Sequence, residues 1–315
     1  LVSKNHTINI KKNNAYLQNK MNSSLKAHVS LFIAQVIYAL NYIVAKDLMP
    51  HAIKPIGLVM LRIVGAFILF WTFSLFIKSE KIEKTDLKKL MILALFGVCI
   101  NQVFFIYGLS LTKPINSAII MVSNPIAVML FTIIVFKERL TIFKISGLLL
   151  GVTGALLLLL FKDTFSFGSE TLVGDIMTLI NSLSWAIFVV MAKPYMIKYQ
   201  TITVMKWLFL FGFIYMAPFG LPAIYEVDWL HLSSNILFGM AFVVIGTTFL
   251  AYLLNMYALK ALSSSVVSMY IYFQPFLATL IAVSFGKDDI TPIKIASALC
   301  IILGVFLVSK KNYNL

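Results

Sequence analysis

Charge is scarce in this chain. Only 12% of its 315 residues are Asp, Glu, Lys or Arg, against about a quarter in soluble domains. A surface wetted on all sides needs more than that, so an ordinary cytoplasmic enzyme is excluded. Cysteine is scarcer still. Cys99 and Cys300 both stand inside apolar runs, which reads as two buried small side chains rather than a disulfide. The histidines are His6, His28, His51 and His231, in the N-terminal stretch or near the ends of apolar runs. None has a carboxylate partner within a run, so no metal is expected. No Asp or Glu lies deep in any apolar run: Asp175 and Glu138 sit near run ends. A buried carboxylate relay for protons is therefore not expected. The phosphate-cradling Gly-Lys-Ser/Thr loop is missing too, which excludes an ATP-driven pump in this chain. No cofactor is expected, and no catalytic residues are assigned.

Apolar residues make up 60% of the chain, too many for a disordered protein. Residues 1–26 are polar, rich in Asn and Lys, and read as a cytoplasmic tail. They lack the apolar run and cleavage site of a signal peptide. Ten apolar runs follow, at about 27–46, 55–77, 89–110, 114–136, 142–161, 172–192, 204–224, 235–258, 264–285 and 292–309. Each approaches the ~20 residues that a helix needs to cross a bilayer, and membrane β-strands would be shorter and alternating. The expected fold is an all-α integral membrane protein with ten transmembrane helices. Placing the N-terminus in the cytoplasm puts 19 Lys and Arg on that side and 6 on the other, with Arg62 inside the second run. By the positive-inside rule both termini are cytoplasmic. The net charge of +14 is then a topology signal, and nucleic acid is not an expected partner.

The chain repeats itself. Shifted by 150 residues, Tyr107 falls on Tyr257, Pro125 on Pro275, Thr141 on Thr291, Lys144-Ile145 on Lys294-Ile295, and Gly154 on Gly304. Shifted by 147, Ala45-Lys46 meets Ala192-Lys193. Runs 1–5 (residues 27–161) thus recur as runs 6–10 (171–309), with a linker at 162–170 and a tail at 310–315. Five is odd, so the second unit enters the membrane inverted. Inverted repeats are a transporter architecture with the site near the midplane.

Phe136-Lys137-Glu138-Arg139-Leu140-Thr141 closes run 4 and precedes a Gly-rich run 5 with Gly147, Gly151 and Gly154. Phe285-Gly286-Lys287-Asp288-Asp289-Ile290-Thr291 precedes run 10 with Gly304. In this arrangement, over residues 27–309, the chain resembles the drug/metabolite transporter superfamily in its bacterial form with two EamA-type repeats. It departs in carrying Asp288-Asp289 where that family usually keeps a single Glu. The resemblance implies a small-molecule solute, export as the common direction, and a bacterial inner (plasma) membrane. It also implies a cavity lined mainly by helices 1, 3, 4, 6, 8 and 9, with 5 and 10 as scaffold.

With so little polarity inside the runs, the polar residues there are the candidates for function. Pro125 and Pro275 should kink runs 4 and 9 and free the carbonyls of Met121 and Ile271. Ser123, Asn124 and Gln274 stand just before those kinks. Gln35, Tyr38, Asn41 and Tyr42 share an arc of about 120° on run 1, and Asn181, Ser184, Trp185 and Phe188 share a similar one on run 6. Arg62 is the one charge well inside a run, a functional position by default. Asn101 and Gln102 on run 3, Tyr252 and Asn255 on run 8, and Tyr270 on run 9 complete the set. Thr141 and Thr291-Pro292 read as helix starts. Gly147-x-x-x-Gly151 reads as close packing within the fold, with a homodimer as the alternative. The expected function is secondary transport of a small, amphipathic, amino-acid-like or drug-like metabolite by alternating access. The alternatives are a lipid scramblase or passive scaffold, and more remotely a lipid-modifying membrane enzyme built on Asp47/His51 or Asp228/His231.

Overall fold

The structure, a computed structural model, describes residues 2–78, 80–138, 141–160, 170–284 and 291–309, and within 2–21 the backbone alone. Arg139, Leu140, the stretch 285–290, the linker up to 169 and the tail from 310 lie outside the described residues. All regular structure among the described residues is helical. The helices are α1 (Val2–Leu48), α2 (Pro55–Ser74), α3 (Lys84–Leu111), α4 (Pro114–Phe136) and α5 (Ile142–Leu160) in the first unit. The second unit holds α6 (Leu172–Lys198), α7 (Thr201–Tyr225), α8 (Ser234–Ala261), α9 (264–284) and α10 (Pro292–Ser309). Among the described residues, nine of these have the length and apolarity to cross a bilayer, and α5 adds a 19-residue helix. Two inverted five-helix units therefore build an all-α integral membrane fold.

Within the stretch read as a tail, residues 2–26 are helical and continuous with α1, and the apolar span begins at Asn22. No Pro or Gly occurs before Pro50, so nothing in the chain stops the helix from propagating.

The repeat is visible in atomic detail. Thr141 and Thr291 each accept a bond from a backbone N–H three residues on, Lys144 at 3.3 Å and Lys294 at 3.4 Å, and so start α5 and α10. The Lys46 ammonium donates to the carbonyls of Leu109, Ser110 and Thr112 at 2.8, 2.9 and 3.0 Å. Its counterpart Lys193 donates to the carbonyls of Leu259 and Leu262. Each lysine thus satisfies the orphan carbonyls at the end of the third helix of its own unit, where the helix dipole is negative.

The first helix of each unit crosses into the other. α1 packs against α8 and α9, and α6 packs against α3 and α4. α2 pairs with α7, and α5 with α10. The two units are therefore interlocked rather than set side by side. Large apolar side chains such as Leu130, Ile134, Leu149, Leu303 and Phe306 remain exposed and form the lipid-facing surface.

The α5–α10 pair depends on glycine. A Cβ on Gly304 would stand 2.7 Å from the Gly147 carbonyl oxygen, and one on Gly154 would stand 2.6 Å from that of Ser297. Backbones this close leave no room for a side chain, so the Gly147 face is taken up within the chain. Gly304→Ala is expected to destabilise the protein by about 1–3 kcal/mol, read as a lowered unfolding temperature in detergent. An unchanged melt would show that the two helices can separate without cost.

Candidate functional site

The third and fourth helices of both units are interrupted near their middles. α3 widens into a π-turn at Leu95–Ile100, and α8 does so at Phe242–Leu250. α4 breaks between Met121 and Asn124, and Pro125 stands in the first turn of its second half. α9 tightens into a 3-10 turn at Tyr270–Tyr272, just before Pro275. Such breaks free backbone groups, and in hydrocarbon these must find partners. They do. Ser184 Oγ donates to the Phe96 carbonyl at 2.7 Å, and the Tyr252 hydroxyl reaches that of Gly97 at 3.1 Å. Thr247 and Thr248 both donate to the Val243 carbonyl, at 2.6 and 2.8 Å.

Between these breaks lies a cavity with about 610 Å³ of empty space, counting all room between its lining atoms. It takes Gln35, Tyr38, Asn41 and Tyr42 from α1, Arg62 from α2, Asn101 and Phe105 from α3, and Met121 from α4. The second unit adds Asn181, Trp185, Tyr252, Asn255, Val267, Ile271 and Gln274. Its amides are held by a network across both units. Asn181 donates to the Asn101 carbonyl at 2.7 Å, and the Tyr252 hydroxyl donates to Asn101 Oδ1 at 2.8 Å. The Gln274 amide donates to Gln35 Oε1 at 2.7 Å. Trp185 stands edge-on to the Tyr252 ring at 5.3 Å.

Arg62 is the electrostatic centre. Its side chain is only 3% exposed. Nε donates to Thr248 Oγ1 at 2.9 Å, while Nη1 is buried without a protein partner. Among the described residues no carboxylate pairs with it. The side-chain oxygens of Asn41 and Asn181 are likewise buried and unbonded. A cavity wall thus carries one uncompensated cationic donor and two free acceptors, an expensive arrangement unless something else binds there.

Nine of the fourteen candidate residues line this cavity: Gln35, Tyr38, Asn41, Arg62, Asn101, Asn181, Trp185, Asn255 and Gln274. The others lie elsewhere. Ser123 Oγ bonds Ser182 Oγ at 3.1 Å, and Asn124 donates to the Ser182 carbonyl at 2.7 Å, so both tie α4 to α6. Ser184 serves the π-turn of α3. Tyr270, near the N-terminal end of α9, shares a 2.7 Å hydrogen bond with His28 of α1. Gln102 is buried outside the lining. Pro125 is packed between helices, whereas Pro275 lines a second, more apolar cavity beside the first. The apolar lining residues Phe105, Met121, Val267 and Ile271 were not among the candidates. Helical spacing could have found them: Phe105 is one turn from Asn101, and Ile271 and Val267 are one and two turns from Gln274.

Similarity to known proteins fits this geometry. The EamA-like transporter family matches residues 25–160 and again 172–310. The chain belongs to the EamA-like transporter family. An uncharacterized transporter of Archaeoglobus fulgidus is 24% identical over 299 residues, covering 93% of this chain and 100% of that one. The uncharacterized transporter YyaM of Bacillus subtilis is 24% identical, covering 73% and 77% of the two chains. A WAT1-related protein of Arabidopsis thaliana is 22% identical, covering 90% and 85%. A solved crystal structure superposes with a TM-score of 0.72 at 17% identity, over 91% of this chain and 96% of that one, a likeness of fold. As an EamA family member the protein is an integral-membrane transporter, and its relatives' names point to transport rather than catalysis.

The cavity geometry can be read chemically. In a Cys300→Ala background, Asn181→Cys is expected to react with a small water-soluble maleimide, while Asn124→Cys does not. Equal labelling of the two would refute a water-accessible cavity that stops short of the α4–α6 contact.

Proposed function

We propose that this transporter carries a small amphipathic organic solute and that Arg62 holds the solute's anionic group. The supporting observation is the buried, unpaired guanidinium in a cavity built from both units. A charge left alone in a membrane interior is strongly disfavoured, whereas one met by a bound anion is satisfied. The unbonded oxygens of Asn41 and Asn181 would accept N–H groups of the same solute, and Phe105, Met121 and Ile271 would meet its apolar part.

The inverted repeat supports alternating access as the mode of transport. The second half of α4 packs against the first segment of α9, while the first half of α4 and the last half of α9 are parted by the second cavity. Exchanging those two arrangements would close the outer side and open the inner one. Because α1 and α6 are exchanged between the units, the moving parts would be mixed bodies rather than residues 27–161 against 171–309. The Lys and Arg distribution favours cytoplasmic termini, and the likeness to the transporter family favours a plasma membrane and export as the direction.

Protein reconstituted in liposomes should show saturable flux of a small organic anion. Arg62→Ala should reduce it by about thirtyfold or more, the effect of removing one partner of a buried charge pair. Arg62→Lys should retain part of it. Wild-type flux in both variants at normal insertion would overturn the assignment.

A further inference from the structure

The second cavity has about 710 Å³ of empty space and differs from the first in chemistry. Eight of its eleven lining residues are apolar, and none is charged. Ala39 on α1, Ala118 on α4 and Ala278 on α9 leave open the space that larger side chains would fill. Its one hydroxyl away from the central site, on Thr279, is already spent on the Pro275 carbonyl at 3.0 Å. Ile43, also in the lining, is 56% exposed on the lipid-facing side of α1.

The two cavities share Tyr42 and Gln274. The partition between them is therefore two side chains, joined by a Tyr42 hydroxyl to Gln274 Oε1 bond of 3.3 Å. That bond is long for an O–H donor and so a weak latch. A polar chamber with an unpaired cation thus adjoins an apolar chamber that reaches the bilayer, with the side chains of Tyr42 and Gln274 between them. This is the pattern of a charged head and an apolar tail.

We infer that the second cavity is a lateral portal: an amphipathic organic anion enters from the surrounding lipid between α1 and α9, its head at Arg62 and its alkyl tail among Ala39, Ala118 and Ala278. This rests on the carrier reading for the head group and adds the tail site and the route.

The test uses a dodecanoate with a diazirine at its tail end, photolysed with the full-length protein in neutral-lipid nanodiscs. Crosslinks are expected within 39–43, 114–118 and 275–279. Ala278→Phe, which fills the portal, should abolish them, and Arg62→Gln should weaken them about thirtyfold or more. Ala118→Phe fills the same space from α4 and takes over the test where Ala278→Phe does not fold, as judged by thermal unfolding. Unlabelled dodecanoate should compete and dodecanol should not. Equal competition by dodecanol would mean a plain lipid slot and overturn the proposal, as would crosslinks spread over α2, α7 and α10, none of which lines the cavity, or persisting in a folded plug variant. Failed crosslinking beside Arg62-dependent flux of tail-less anions would remove the portal alone. Specific crosslinking with no flux of any solute would remove the carrier reading alone.

Discussion

Hydrocarbon offers no water to a free carbonyl or N–H, and the rest of this structure follows from that constraint. Along most of their length the ten helices meet it by their own hydrogen bonds. Beside the central cavity they depart from it at the π-turns of α3 and α8, the break in α4 and the 3-10 turn in α9, an interruption in the third and fourth helix of each unit. Pro194 in α6 and Pro218 and Pro222 in α7 interrupt the ladder elsewhere. Hydroxyls from neighbouring helices satisfy the carbonyls so released, as Ser184 and Tyr252 do for the α3 π-turn.

The same low dielectric sorts the charges. Lys46 and Lys193 spend their ammonium groups on helix-end carbonyls. Lys198 pairs with Glu83 and Asp86 at the C-terminal end of α6, and Lys54 pairs with Glu226 at the N-terminal end of α2. Those pairs are solvent-exposed at least on one partner and contribute little each. Among the described residues, Arg62 is the charged group that combines burial with an unfilled donor. Its surroundings hold it by one hydroxyl and leave the remaining charge facing the cavity.

Much of the site was legible because polar side chains are rare in these runs. The stripe Gln35, Tyr38, Asn41, Tyr42 lines the cavity as one face of α1, as helical spacing requires. Arg62 stood out as the one charge within a run. The reading was less good for Ser123, Asn124, Ser184 and Tyr270. Each is polar and stands within three residues of a lining residue in sequence, yet its hydrogen bond goes to a neighbouring helix. An amide in a membrane helix must bond to something, and its position along the chain does not say whether that is backbone or solute. Phe105, Met121, Val267 and Ile271 were missed for the opposite reason: apolar residues are everywhere in such a chain, and only the cavity distinguishes these.

The sequence by itself determined the helices, the two-fold repetition and its inversion. These rest on local quantities: the length of apolar runs, the odd number of spans per unit, and Thr, Pro and Gly at helix starts and contacts. Tertiary structure decided what the helices do together. That α1 and α6 cross into opposite units depends on which surfaces fit, a property of two distant faces at once. The α3 π-turn depends on hydroxyls arriving from α6 and α8. The cavities are what remains where packing stops, so Arg62 becomes an unpaired charge beside an open space, and Tyr42 with Gln274 a partition, only once all the helices are in place.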